Sequence, residues 1–319
     1  MTNVNRPVSL ENFIAKDDTK NTIRFAIAAA KKKGSSFPHA IITGNAGVGK
    51  TTLANIIANE MGVKIRVLMG PSVKDTRDIS NIFVDKEGDL IRDGDIIFVD
   101  EIHSLKKEFQ EMFYSAMEDR FIPVKVDDRT FNYKIKDLTI IIATNESSNL
   151  PSPLVDRCRV KINLDAYSVS DLTKIITENA IVMNVSDKEK VMVSEEAART
   201  LAGVCRGTPR IAINNFILVR DYAIAIGEDT ITKDVLKAAL SMMGVDEYGL
   251  KEIDRKVLHV LFNVKKMSKD TLASMIGYNP DILVRDIEPY LMIQGLMMRS
   301  SVVRTLTEKG WTMIADGLI

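Results

Sequence analysis

The stretch that most constrains this chain lies between Pro38 and Gly62. His39-Ala-Ile-Ile-Thr43 is a short apolar run and reads as a buried strand. Gly44-Asn-Ala-Gly-Val-Gly-Lys50-Thr51 follows, and then Leu53, Ile56, Ile57 and Met61 recur at helical spacing. Strand, glycine loop and helix therefore come in the order of the pattern Gly-x-x-x-x-Gly-Lys-[Ser/Thr]. In that pattern the backbone N–H groups of the loop curl around phosphate oxygens. Gly44, Gly47, Val48, Gly49, Lys50, Thr51 and Thr52 form the expected cradle. Lys50 would neutralise phosphate charge, and the Thr51 hydroxyl would ligate Mg²⁺.

Two further apolar runs belong to the same layer. Ile96-Ile-Phe-Val99 ends in Asp100-Glu101, and Leu138-Thr-Ile-Ile-Ile142 ends in Ala143-Thr144-Asn145. A helical pattern over 105–117, with Leu105, Phe109, Met112, Phe113 and Met117 on one face, lies between them. Strands alternating with helices imply an α/β domain built on a parallel sheet. Asp100 is placed to hold Mg²⁺ and Glu101 to polarise an attacking water; alone, the two acids would read as a solvated helix start. Asn145, ending the strand expected beside the first, can orient water, although an isolated Asn there is more often a turn cap. From Phe121 to Ile135 the pattern alternates, with Asp127-Asp128 between the two runs, which predicts an inserted β-hairpin.

After Asn163 the strand signals fade. Segments 170–183, 194–204, 208–226 and 231–242 read as helices, with Ser170 and Ser194 as N-caps. From Leu250 onward, helices over 255–263, 268–275 and 281–294 precede a two-stranded wing over 295–307, the outline of a winged helix. Met292, Met297 and Met298 are expected in its core. The chain has 319 residues, so about 150 per domain gives two or three domains. Lys plus Arg and Asp plus Glu both number 43, which excludes a highly basic coat protein. No apolar run approaches the roughly 18 residues of a membrane helix, and Met1–Pro7 lacks a signal-peptide core, so no membrane partner and a cytoplasmic location are expected. Cys158 and Cys205 cannot make a disulfide framework, and no metal spacing links them to His39, His103 or His259.

The segments Leu53–Val63, Gly70-Pro71, Phe98-Val-Asp-Glu-Ile-His103, Ala116-Met-Glu-Asp119, Arg206-Gly-Thr-Pro-Arg210 and Glu288-Pro-Tyr-Leu291 together resemble the RuvB family. These are the AAA+ motors of Holliday-junction branch migration, and the resemblance runs from Arg6-Pro7 through Thr307. It implies an AAA+ P-loop domain with a parallel sheet over 1–165, a helical lid domain over 166–246 and a C-terminal winged helix over 247–319. It implies ATP and Mg²⁺ as cofactors and a homo-oligomeric ring, expected to be a hexamer, on branched or duplex DNA. By resemblance, Arg6 and Tyr167 lie around the nucleotide base and Asn145 is sensor 1. Arg157 is the finger that reaches the neighbouring subunit's ATP, and Arg210 is the lid arginine that senses the γ-phosphate. Arg299 and Arg304 match wing arginines that contact DNA; without the resemblance, a solvated basic face would be the better reading.

The chain departs from the family pattern in places. Gly44-Asn-Ala-Gly47 replaces the usual Gly-Pro-Pro-Gly, Asn145 the usual Thr, and Cys158-Arg159 the usual Phe-Gly. Val302 stands where a wing arginine is usual. The hairpin that docks on RuvA in the family is shorter here and lacks its usual glycines, so a RuvA-like junction-binding partner is the least supported expectation. Asn145 and Asp156-Arg157-Cys158-Arg159 also suit an AAA+ clamp or helicase loader, an ATP-dependent assembly switch on DNA. A winged-helix regulator whose ATPase domain controls only oligomerisation is a third reading.

Overall fold

The computed structural model describes residues 6–85, 90–126 and 129–319. The expected turn at Asp127-Asp128 and the residues Met1–Asn5 lie outside them. The chain divides into two compact units, Met1–Asp171 with Thr208–Arg210, and Leu172–Gly207 with Ile211–Ile319. Among the described residues no helix is long and apolar enough to cross a membrane.

In the first unit, helix α1 (Asp17–Lys33) leads to β1 (Ala40–Gly44), α2 (Lys50–Met61), β2 (Ile65–Met69), α3 (Thr76–Phe83), β3 (Ile96–Asp100) and α4 (Lys107–Glu118). The hairpin β4 (Phe121–Val126) and β5 (Arg129–Lys134) follows, then β6 (Thr139–Thr144), α5 (Ser152–Arg157) and β7 (Val160–Leu164). The sheet order is β2-β3-β6-β1-β7, and all pairings are parallel. Successive residues of a strand face opposite sides. Thus Ile41, Ile97, Val99, Ile140 and Ile142 enter one core, with Phe109, Met112 and Phe113 of α4. Ala40, Ile42, Ile96, Phe98, Ile141 and Ala143 enter the other, with Leu53, Ile56 and Ile57 of α2. Burial on both faces explains why these strands are unbroken apolar runs.

The expectation that the strand before Asn145 lies beside the glycine-loop strand holds, because β6 pairs with β1 in register Ala40↔Ile141 to Thr43↔Thr144. From β1 the chain crosses toward β2 at one edge, and from β6 it crosses toward β7 at the other. The carboxyl ends of β1 and β6 therefore flank a topological switch point, where open α/β sheets bind ligands.

The second unit contains most of α6 (Val169–Ser186), then β8 (Met192–Val193), α7 (Glu195–Gly203), most of α8 (Pro209–Ala225), β9 (Thr230–Ile231) and α9 (Lys233–Met242). Ser194 caps α7, accepting the Ala197 N–H at 3.2 Å. The Ser170 cap is corrected: α6 already includes Ser170, and Ser168 Oγ accepts the Asp171 N–H at 3.1 Å. Next come α10 (Glu252–Val264), β10 (Lys266–Met267), α11 (Lys269–Ile276) and α12 (Pro280–Ile282). A π-helical turn, Leu283–Ile287, runs into α13 (Glu288–Ile293), and β11 (Met297–Arg299), β12 (Arg304–Leu306) and α14 (Glu308–Ala315) close the chain. The wing is a three-stranded antiparallel sheet, β10-β12-β11, one strand more than expected. Of the three methionines expected in the core, Met297 is buried, whereas Met292 and Met298 are exposed. Met297 and Met298 are neighbours on a strand, so they face opposite sides.

Within the second unit, Arg206 ties the helical segment to the winged one. Its backbone is left-handed, at φ 57°. Its guanidinium pairs with the fully buried Asp254 of α10, lies 4.2 Å from the ring centre of Tyr290 and donates to the Gly249 carbonyl at 3.3 Å. Asp254 Oδ2 also accepts the Lys251 N–H at 2.7 Å. The Tyr290 hydroxyl, pushed up to about 12 by burial, donates to the Tyr248 carbonyl at 2.7 Å. Removing one member of a buried ion pair leaves the other charge uncompensated, at a cost of about 3–5 kcal/mol. Asp254→Ala should therefore destabilise the second unit by that order, read as a lower urea midpoint of its unfolding transition.

Candidate functional site

The glycine loop takes its shape from close contact with its neighbours. Gly44, at φ 147°, ends β1 beside β7, and a Cβ there would lie 2.4 Å from the Leu164 carbonyl oxygen. Gly47 and Gly49 also have positive φ, and α2 starts at Lys50. The Lys50 side chain is only 5% exposed. Its ammonium donates to the carbonyls of Gly44 at 2.8 Å and Asn45 at 3.2 Å. Burial lowers its pKa, the carboxylates of Glu101 and Asp100 oppose that, and the Arg210 charge adds to it.

Two acids at the end of β3 face the loop. The Thr51 hydroxyl donates to Asp100 Oδ2 at 2.9 Å, which puts two hard oxygen donors side by side, the donor chemistry Mg²⁺ takes. Glu101 sits at φ 53°, with Oε1 4.0 Å from Lys50 Nζ and Oε2 3.4 Å from His103 Nδ1. At the end of β6, the Asn145 Oδ1 is buried without a hydrogen-bond partner. A buried acceptor left unpaired is costly unless a ligand or water meets it, so this amide fits a ligand-facing role. Residues Thr208–Arg210 group with this unit, and the Arg210 N–H points to the Gly47 carbonyl at 3.4 Å. Val48 is buried, and Thr52 lies in the first turn of α2. Tyr167 is half-buried against the α1–β1–β7 core, its hydroxyl pushed up to about 12 by burial, and Arg6 is exposed.

The structure thus gathers Lys50, Thr51, Asp100 and Glu101 at the carboxyl end of the sheet, with Asn145 just after the strand beside β1 and Arg210 at Gly47. Arg157 is held elsewhere. It closes α5, its Nε meets Glu118 Oε2 at 2.5 Å, and its guanidinium lies 5.6 Å from the Tyr114 ring centre. Contact with the Tyr114 hydroxyl and the Glu118 carboxylate raises its pKa. The buried thiols of Cys158 and Cys205 are both pushed up to about 12 by burial, which leaves them protonated and unreactive.

The winged surface corrects one expectation. Arg304 is buried, and both its Nε and Nη2 bind the fully buried Glu288, at 2.7 and 3.3 Å. Most of this side chain is thus turned toward Glu288 and away from the exposed face expected of it. Arg299 on β11 shares the same carboxylate at 3.1 Å but keeps its side chain 39% exposed. It lines a groove with Ser268, Lys269, Ser300, Ser301 and Arg304 itself.

Three family descriptions match the chain in succession. They are the Holliday junction DNA helicase RuvB P-loop domain over 5–164, the RuvB AAA lid domain over 167–246, and the RuvB C-terminal winged helix domain over 247–315. The chain belongs to the RuvB family. It has the AAA+ architecture of that family, its P-loop domain binds nucleotide, and it is an ATP hydrolase. It is 37% identical over 309 residues to a Holliday junction branch migration complex subunit RuvB from Methanoregula boonei, covering 95% of this chain and 89% of that protein. The subunit of the same description from Streptococcus uberis is 36% identical over 313 residues, covering 96% and 90%. Among solved structures, the Thermotoga maritima RuvB Holliday junction branch migration motor superposes with a TM-score of 0.83 at 35% identity, over 97% of this chain and 98% of that one.

Several residues at the RuvB-type site escaped the sequence reading. His103 and Thr144, two and one positions from recognised site residues, looked like ordinary neighbours. Gly70 carried only resemblance. A Cβ on Gly70 would meet the Glu101 carbonyl oxygen at 2.4 Å and that of Asp100 at 3.1 Å, both backbone atoms that cannot rotate away. Gly70→Ala should therefore displace the end of β3 and lower the ATPase kcat on the order of tenfold to a hundredfold, since small misplacements of reacting groups cost that much. A far-UV circular dichroism spectrum would show that the fold is retained.

Proposed function

We propose that this chain is an ATP- and Mg²⁺-dependent DNA motor that moves the duplex arms of Holliday junctions in recombination and repair, working as a homo-oligomeric ring, expected to be a hexamer, in the cytoplasm. The observation that carries the proposal is a complete hydrolysis set, Lys50, Thr51, Asp100 and Glu101, on the same chain as a winged segment, in RuvB order throughout. The functional division follows the three segments 1–165, 166–246 and 247–319.

Gly44, Gly47, Val48, Gly49, Lys50, Thr51 and Thr52 hold the phosphates, and Arg6 and Tyr167 hold the base. Thr51 and Asp100 hold Mg²⁺, which supplies charge neutralisation on the phosphates when bound. Lys50 withdraws phosphate charge with a buried ammonium, where low dielectric strengthens it. Glu101 accepts the proton of the attacking water, and Asn145 orients that water. Arg210 reports the phosphate state from the lid, and Arg157 reaches the nucleotide of the neighbouring subunit. Its partner Glu118 keeps the guanidinium on the α4–α5 side until that subunit arrives.

DNA contact rests on Arg299 with Lys265 and Lys266, exposed cations that would meet phosphates without reading sequence. Arg304 supports Arg299 through Glu288. A RuvA-like junction-binding protein is the partner proposed for the hairpin, where Phe131 and Tyr133 share a face and remain exposed.

The test is ATP-dependent migration of a synthetic four-way junction, alone and with a RuvA-like protein. Lys50→Ala and Glu101→Gln should each abolish hydrolysis and migration. Arg157→Ala subunits should regain hydrolysis when mixed with Lys50→Ala subunits, because each then supplies what the other lacks. A chain that hydrolyses ATP, migrates no junction with any partner and is stimulated by a sliding clamp would instead be a loader, which Asn145 and Arg159 favour.

A further inference from the structure

The two oxygens of the Glu101 carboxylate face different groups. Oε1 looks toward the Lys50 ammonium at 4.0 Å, and Oε2 toward His103 Nδ1 at 3.4 Å. The same Nδ1 lies 3.0 Å from Thr144 Oγ1, and a ring nitrogen carries at most one hydrogen. Nδ1 is therefore divided between the catalytic carboxylate and the last residue of β6. We propose that His103 is a positioning residue for hydrolysis: it holds Glu101 off Lys50 and links its orientation to the Thr144–Asn145 end of β6.

His103 is built for this task. Glu101 is left-handed, at φ 53°, so the chain turns sharply after β3 into a single helical turn, Ile102–Ser104. That turn is fixed at both ends. Ser104 N–H and Oγ both donate to the Glu101 carbonyl, at 2.9 and 2.7 Å. The buried Gln110 amide donates to the carbonyls of Ile102 and Leu105, at 3.3 and 2.9 Å. The backbone that carries the imidazole is therefore held in place after β3. Thr144 is fully buried, and its Oγ1 also accepts the Glu146 N–H at 2.9 Å, so the hydroxyl is pinned from the far side of Asn145.

The physical consequence follows from charge. With Oε2 beside the imidazole, Oε1 stays 4.0 Å from the ammonium and the carboxylate keeps its orientation. Without His103 the carboxylate would lose its neighbour at Oε2 and could turn both oxygens toward the Lys50 ammonium, a closer pair that would misplace the carboxylate and occupy the lysine that faces phosphate. A movement at Asn145 reaches Glu101 through only two side chains, Thr144 and His103. His103 acts through Glu101, its neighbour at Nδ1 together with Thr144.

This inference rests on the ATP-hydrolysis reading, and the test separates the two. Full-length protein would be assayed for ATPase kcat and KM, affinity for a fluorescent ADP analogue, and thermal midpoint. His103→Gln sets its amide beyond the Nδ1 position, whereas His103→Asn sets one close to it. Thr144→Val removes the hydroxyl at constant shape, whereas Thr144→Ser keeps it. His103→Gln and Thr144→Val should lower kcat on the order of tenfold to a hundredfold, with KM and ADP affinity within about twofold. His103→Asn and Thr144→Ser should recover most of that loss. Equal rates for His103→Gln and wild type, equal losses for Asn and Gln, or a parallel loss of ADP affinity or thermal stability would overturn the proposal. A wild-type protein without ATPase activity would instead overturn the hydrolysis reading itself.

Discussion

An ammonium enclosed at the end of a parallel sheet organises the first unit. Lys50 is nearly fully buried, and a buried cation is tolerated only when oxygens meet it. Two carbonyls of its own loop do so directly, and the loop can reach back only because Gly44 passes against β7 with no Cβ. The acids that balance the charge come from β3, two strands away from β1, with β6 between them. The glycine loop, Thr51, Asp100 and Glu101 are thus parts of one charge balance, in which the buried ammonium has carbonyls and acids within reach.

The winged segment solves a similar problem by other means. One buried carboxylate, Glu288, binds two arginines of the wing, and the sharing turns Arg304 inward while Arg299 stays partly exposed. The wing therefore displays less charge than its sequence suggests, and its exposed cations are chiefly Arg299 and the lysines around β10. A chain of zero net charge can still present a positive track, provided the cations are exposed and the acids are consumed in the interior.

Much of this was legible in the sequence. The P-loop, β3, β6, the hairpin and the helices of the second unit follow from unbroken apolar runs, period-two alternation and helical spacing, which are local signals. What escaped was set by contacts between distant residues. Arg304 reads as a surface cation until Glu288, sixteen residues earlier, is seen to enclose it. Met298 and Met297 are the same residue type on adjacent positions, and only the strand pleat separates core from solvent. Ser168 and Ser170 are equally good caps by composition, and the exit from β7 decides between them. The role of His103 needs β3 and β6 to be side by side, which spacing along the chain does not state.

Arg206 bears on how such a chain can change over time. Its guanidinium is satisfied by Asp254, Tyr290 and the Gly249 carbonyl, all of them in the winged segment, although Arg206 itself belongs to the helical one. A truncation that ended near residue 246 would remove Asp254, the carboxylate that Arg206 meets, and a winged segment without Arg206 beside it would keep a buried aspartate whose counter-charge is gone. The two segments are therefore coupled at this seam: a substitution at Arg206 changes what Asp254 and Tyr290 can accept, and a chimaera joined there needs both sides of the ion pair from compatible parents.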